Sequence, residues 1–458
     1  MTKQGKMFLA ILLILSMELI DVTVLNNIIA DIAHSLKTDV FHANLAITSY
    51  MISFGIFMPI SVWLSTKFGS RNPMIYSLVG FIATSVLCGL AFNLEMLVVF
   101  RILQGFFAAL LLPISQTTMI RLSSSMVDVS AKIGIYTVAS AAIGQLVGAF
   151  LTQYLSWRLV FFLNAPIGLY CLYLVLKYFY VPFERKLVKL DIIGFVVVGV
   201  STGLLFTVSN LLGSKSTPVW LLVCLTVIPI LICSIYFLNL KRIVNPILKF
   251  KLFRNRNFSL MLTVIMINKL TLYWLYFAFP VYLYLFIGFR LTTVAVIMVC
   301  LWAGNLFSKK FTVFSVRYLG MKAATIVASF GLLIIMLTWG YTLHSRQLIT
   351  LILVLIPFFG IMMGIFQTAT NSYVLAVVVD EDKADSNVLS RSLLMIATAF
   401  SISFLGAAYE CSKIYLSYEN EPYLFIWAFE YSFIISGIIQ FLASFLVIFT
   451  DRGTSRLA

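Results

Sequence analysis

From Asn72 to Leu94 the chain runs 23 residues without a charged side chain, from Ile133 to Trp157 it runs 25, and from Ser216 to Leu240 another 25. A helix needs roughly 20 mostly apolar residues to cross a hydrocarbon core, so each interval is long enough to span a bilayer. The intervals are continuous, whereas the strands of a membrane barrel would alternate over roughly ten residues. Soluble chains average about 25% charged residues. Here 11% are charged and 61% hydrophobic, too much apolar surface for any soluble fold to hide, so the solvent is lipid.

Extending this reading gives fourteen helices, near 7–30, 44–66, 73–92, 96–120, 132–154, 159–179, 191–212, 218–240, 258–286, 291–314, 322–343, 348–374, 388–409 and 424–449. Lys3 and Lys6 precede an apolar stretch from Met7 to about Ala30. That stretch lacks a convincing small-residue cleavage site and is expected to be a retained first span rather than a signal peptide. With the N-terminus inside, the inner segments hold 24 of the 32 basic residues and the outer segments six (Lys37, Arg158, Lys215, Arg290, Arg346 and Lys413). This positive-inside bias predicts that both termini are cytoplasmic.

The same bias accounts for the net charge of +15, and no nucleic-acid partner is expected. The richest basic segment, Lys241 to Arg256, interleaves Lys241, Arg242, Lys249, Lys251, Arg254 and Arg256 with apolar residues, as suits a segment lying on an anionic lipid leaflet. The six cysteines (Cys88, Cys171, Cys224, Cys233, Cys300 and Cys411) show no metal-ligand spacing and read as small buried apolar residues. His34, His42 and His344 show no metal pattern either. No catalytic constellation and no P-loop stand out, so neither an enzyme nor an ATP-driven pump is expected.

Two loops resemble each other. After span two the sequence reads Thr66-Lys67-Phe68-Gly69-Ser70-Arg71, and after span ten Arg317-Tyr318-Leu319-Gly320-Met321-Lys322. Both end in apolar-Gly-x-basic, two spans into a six-span block if spans seven and eight are an insertion, which is the pattern of parallel transporter halves. The expected organisation is a six-helix half over 1–180, two extra helices and the basic segment over 181–257, and a second six-helix half over 258–458.

Several segments are similar to the fourteen-span drug:proton antiporter family of the major facilitator superfamily. Span one carries Asp21-x-Thr23-Val24-x-Asn26, span four Arg101-x-x-Gln104-Gly105, and span five Gly144-x-x-x-Gly148. Span six opens with Trp157-Arg158-x-x-Phe161-x-x-Asn164-x-Pro166-x-Gly168, span seven with Asp191-x-x-Gly194. Asn245-Pro246-x-Leu248 and the run Leu252 to Phe258 precede the second half. Val62, Thr66, Gln145 and Ala30 stand where that family usually has Gly, Asp, Pro and Pro. The resemblance implies an all-α major facilitator fold, two six-helix halves plus two central helices. It also implies a proton-coupled secondary transporter, expected to act as a monomer in a bacterial inner membrane. No cofactor is expected; the proton gradient is the energy source.

Five charged residues lie deep within spans, towards the bilayer centre: Glu18, Asp21, Arg101, Lys269 and Glu430. A charge at the bilayer centre costs about 2.5–3.5 kcal/mol on insertion scales, so each is a functional candidate. Glu18 and Asp21 are three apart and share one face of span one. Two such carboxylates in a low dielectric resist double ionisation, and a carboxylate that exchanges its proton is what coupling needs. The resemblance links Arg101 to the same task, and Arg101 is expected to pair with ionised Asp21. Gln104, Gln145, Asn268, Lys269, Tyr273, Tyr276 and Glu430 are the expected substrate-cavity residues, with Lys269 disfavouring a cation unless Glu430 neutralises it. Gly69, Arg71, Gly144 and Gly148 are expected at gating and helix-packing positions. The expected activity is export of a small organic molecule, either drug-like or a metabolite such as a siderophore. An uptake symporter for a small organic anion and a non-transporting membrane sensor remain alternatives.

Overall fold

Long apolar segments form helices here because in lipid every backbone N–H and C=O must be satisfied within the chain. The computed structural model describes residues 3–122, 126–179, 190–212, 217–239, 250–342, 349–379, 382–416 and 421–450. The expectations for Lys241, Arg242, Lys249, His344 and the C-terminal tail fall outside them, as does the side chain of Cys411.

In chain order the helices are α1 (Lys3–Ser35), α2 (Val40–Ala43), α3 (Leu45–Phe68), α4 (Arg71–Gly89), α5 (Leu94–Leu122), α6 (Met126–Tyr154), α7 (Arg158–Phe162) and α8 (Asn164–Tyr178). They continue as α9 (Ile192–Leu211), α10 (Val219–Asn239), α11 (Arg256–Leu272), α12 (Trp274–Val281), α13 (Leu291–Thr342), α14 (Ile349–Ala376), α15 (Lys383–Leu416) and α16 (Glu421–Ser444). Among the described residues twelve stretches are long and apolar enough to cross a membrane, counting α2–α3, α7–α8 and α11–α12 with its following turn as single spans. One of the twelve, α13, is two arms meeting at Gly320, and the 29-residue α6 is not among them.

Spans six and nine each carry one irregular residue, Leu163 between α7 and α8 and Tyr273 between α11 and α12, and both keep helical backbone angles (φ −58°, ψ −30° and φ −76°, ψ −22°), so each span runs on as one. Just after Tyr273 the Trp274 backbone N–H donates to Ser401 Oγ (2.9 Å), so a side chain of α15 satisfies that backbone group.

The chain divides into two compact units: Met1–Leu204, Val227–Leu248 and Arg290–Ala295 in the first, and Leu205–Thr226, Lys249–Phe289 and Val296–Ala458 in the second. In the first, α1 packs on α6 and α8, α3 on α5, and α4 on α5 and α8. In the second, α11 packs on α14, α15 and α16. The family-like residues earn their places locally. Asp191 accepts from the Gly194 N–H and the Tyr236 hydroxyl at the start of α9, and Asn255 caps α11 through the Asn257 and Phe258 N–H groups. Arg158 donates to the Ala91 carbonyl with its guanidinium over the Trp157 ring.

The two similar loops have one geometry. Gly69 has φ 78° and ψ 172°, and Gly320 has φ 79° and ψ 163°. Only glycine occupies this region readily, because a Cβ there clashes with the flanking backbone. The basic residue two positions on makes the same kind of tie in each unit. Arg71 Nη2 donates to the Leu176 carbonyl at the end of α8 (2.9 Å), and Lys322 Nζ donates to the Thr450 carbonyl beyond α16. Cations are favoured there because the last carbonyls of a helix lack intrahelical donors. The repeat inferred from two short loops is thus a repeat of backbone conformation and of capping. Gly69→Ala and Gly320→Ala should each cost about 1–3 kcal/mol. Thermal unfolding of the purified protein measures this, and unchanged melting temperatures would show that the turns adapt.

Exposed helix faces carry large apolar side chains, among them Tyr76, Ile193, Trp220, Leu238 and Val313, as lipid-facing surfaces require. Cys88 and Cys171 are buried as expected, but Cys224 and Cys300 lie on exposed faces. Hydropathy marks a residue as membrane-embedded without saying whether it faces protein or lipid.

Candidate functional site

Asp21 is buried on α1 and is held from two further helices, α5 and α8. Arg101 Nη1 on α5 donates to Asp21 Oδ2 at 2.5 Å, and the two side chains are each 1% exposed. Gln104 Nε2, one turn along α5, and Asn164 Nδ2, the first residue of α8, both donate to Asp21 Oδ1 at 3.1 Å. Three donors around one carboxylate, one of them a guanidinium, match the ionised form.

The donors are themselves positioned. Arg101 Nε donates to the Ala46 carbonyl (2.9 Å) and Nη1 also to Gln104 Oε1 (2.7 Å), while the guanidinium lies 4.1 Å from the centroid of the Tyr50 ring. Asn164 Nδ2 also donates to Ser85 Oγ, which donates in turn to the Phe161 carbonyl. Tyr50 can sit under Arg101 because α3 and α5 cross closely. Ser53 Oγ reaches the Ile102 carbonyl at 2.6 Å, and a Cβ on Gly105 would lie 2.4 Å from the Tyr50 carbonyl.

Glu18 is buried one turn before Asp21 on α1. Gly144 and Gly148 seat α6 against α1: a Cβ would lie 3.1 Å from Ile20 Cα at the first and 2.2 Å from Val24 Cγ1 at the second. This is the close approach that small residues allow. Gln145 beside them is buried, and its Oε1 has no hydrogen-bond partner among the described residues.

The expected pair of Asp21 and Arg101 is therefore formed, with Gln104 drawn into it. Sequence reasoning passed over Tyr50 and Ser85, and placed Asn164 in a motif without a role. The motif around Asn164 was a usable signal. Tyr50 and Ser85 offered none, because aromatics and small polar residues occur in most spans.

In the second unit, Lys269 Nζ lies 3.5 Å from the centroid of the Tyr273 ring, and Tyr273 packs on Tyr276 with centroids 5.0 Å apart. The considered ion pair between Lys269 and Glu430 is not formed among the described residues; the lysine rests on an aromatic face instead. Glu430 is half-buried on α16 and has contacts of its own. Asn268 is buried, and neither atom of its carboxamide has a hydrogen-bond partner among the described residues.

The family model described as Major Facilitator Superfamily matches residues 11–407. The chain belongs to the major facilitator superfamily. As a member of that superfamily it is a multi-pass membrane transporter with the two-half helical fold. It is 26% identical over 403 residues to a protein named for multidrug resistance, MdtD, of Pectobacterium carotovorum subsp. carotovorum (strain PC1), covering 85% of this chain and 84% of that one. MdtD of Escherichia coli O1:K1 / APEC is 24% identical over 405 residues, with 85% and 83% covered. Among solved structures, a D-xylose-proton symporter superposes with a TM-score of 0.70 at 14% identity, covering both chains fully (100% and 100%). The nucleoside transporter NupG (D323A mutant) gives 0.64 at 14% identity, with 98% and 99% covered. At such identities these structures speak for the superfamily fold alone. One departure from the family's usual pattern is now explained locally: the Thr66 hydroxyl, where an Asp is usual, donates back to the Val62 carbonyl at 2.7 Å.

Proposed function

We propose that this superfamily member is a proton-coupled antiporter that exports a small organic molecule, with Asp21 as the proton-carrying group. The observation that carries the reading is the buried, fully donor-filled carboxylate of Asp21 paired with Arg101. An isolated ion pair in the membrane interior is expensive, and its retention there argues for use. A proton on Oδ1 or Oδ2 replaces an acceptor with a donor facing Gln104, Asn164 or Arg101. The ties of α1 to α5 and α8 then loosen together, leaving Arg101 on the Ala46 carbonyl, Gln104 and the Tyr50 face. Protonation thereby becomes a change in helix packing within the first half, which is what a transporter needs to shift between access states. The direction of transport follows the relatives named for multidrug resistance.

The test is transport in proteoliposomes with an imposed pH gradient, using a panel of amphiphiles and small organic anions. Substrate accumulation in inverted vesicles driven by an outwardly directed proton gradient, acid in the lumen, supports export. Accumulation with the opposite sign would make the protein a symporter, and no gradient dependence for any substrate would remove proton coupling.

A further inference from the structure

We propose that the second unit holds a binding site for a planar aromatic monoanion, built from Lys269, Tyr273, Tyr276, Trp302 and Gln367. The site rests on the transporter reading above only in that its ligand is taken to be cargo.

The rings form a continuous run. Tyr273 and Tyr276 lie 5.0 Å apart, and Tyr276 and Trp302 lie 5.7 Å apart with their planes 31° from parallel. Gln367 Nε2 on α14 donates to the Tyr273 hydroxyl at 3.3 Å and fixes one end of the run against a third helix. The ammonium of Lys269 stands over that end, 3.5 Å from the ring centroid. At the other end Trp302 Nε1 is buried and has no hydrogen-bond partner among the described residues. The run is thus an aromatic surface with a cation at one end and an unused N–H donor at the other. It offers donors and a positive charge, and the cation pairs with no described carboxylate.

Its depth makes the charge significant. Lys269 lies near the middle of the 31-residue span Arg256–Phe286, one turn before Tyr273. Just beyond it the Trp274 N–H is bonded by Ser401 Oγ, and a backbone group taken up by a side chain at this depth is tolerated only beside a partner or a cavity. Resting the half-buried ammonium on one aromatic face recovers part of its desolvation cost but supplies no counter-charge among the described residues. A conjugated carboxylate or phenolate supplies both missing elements: a charge for Lys269 and a flat face for Tyr276 and Trp302. A cationic ligand of the same shape meets like charge.

Three probes with one ring system separate charge from shape: naphthoate, naphthamide and naphthylmethylammonium, titrated calorimetrically into the full-length protein in nanodiscs. Wild type should bind naphthoate about tenfold or more tighter than naphthamide, and the ammonium weakest. Lys269→Gln should remove the preference for naphthoate while retaining naphthamide, and Lys269→Arg should preserve it. Trp302→Leu should weaken naphthoate and naphthamide alike. Equal wild-type binding of the three probes, no binding of naphthoate, or a preference that survives Lys269→Gln overturns the site. The wild-type series decides even if Lys269→Gln fails to fold. Naphthoate bound by this site, with no substrate of the panel moved by a proton gradient, would remove the export reading and leave the site standing. Proton-coupled transport of another substrate without naphthoate preference would do the reverse.

Discussion

Asp21→Asn is expected to reduce substrate-driven proton release in proteoliposomes to background while leaving substrate exchange in the absence of a gradient measurable. Asparagine has the shape of the carboxylate but only one acceptor oxygen, and its amide must face one of the donors on Gln104, Asn164 or Arg101. The substituted site therefore imitates the protonated state and cannot leave it. Because Ala46, Gln104 and Tyr50 still hold Arg101, the protein should remain folded enough to assay. Asp21→Glu keeps a titratable group but lengthens it by a methylene in a filled site, and should retain some coupling at lower rate. Proton release undiminished in Asp21→Asn would show that the pair only ties helices together.

Arg101→Leu should lower stability by about 3–5 kcal/mol, because it strands a buried carboxylate that keeps only two neutral donors. The double variant Asp21→Asn/Arg101→Leu should recover part of that loss, giving a clearly non-additive cycle. Arg101→Lys is not a mild change here. It removes the Nε bond to the Ala46 carbonyl and the planar stack on Tyr50, and should fall between wild type and Arg101→Leu. Thermal unfolding of the purified variants measures all four. An additive cycle with losses below about 1 kcal/mol would mean that the pair behaves like a solvated one.

Much of the architecture was legible along the chain. Lipid imposes a nearly one-dimensional rule: a segment crosses if its own side chains are apolar enough over its own length. The charge-free stretches therefore located the helices without knowledge of their neighbours. The two Gly-x-basic loops announced the repeat because a backbone conformation that only glycine adopts leaves its mark in sequence. Asp21 and Arg101 stood out for the same reason, since a charge in a span is conspicuous where it is costly.

What tertiary structure alone decided was which faces meet. Hydropathy told neither that Cys88 faces Gln104 nor that Cys300 is exposed. The Trp274 N–H depends on a partner supplied from elsewhere in the chain, Ser401 on α15. Tyr50, Ser85 and Asn164 became part of the site only because α3, α4 and α8 close around α1 and α5. Asn164 lies 143 residues from the carboxylate it holds. Likewise, whether Lys269 answers Glu430 or an aromatic ring depends on side-chain directions across the bundle. Composition and spacing fix a residue's depth in the membrane, but contact between helices is a matter of rotation and close packing, and that information exists only once the helices have assembled.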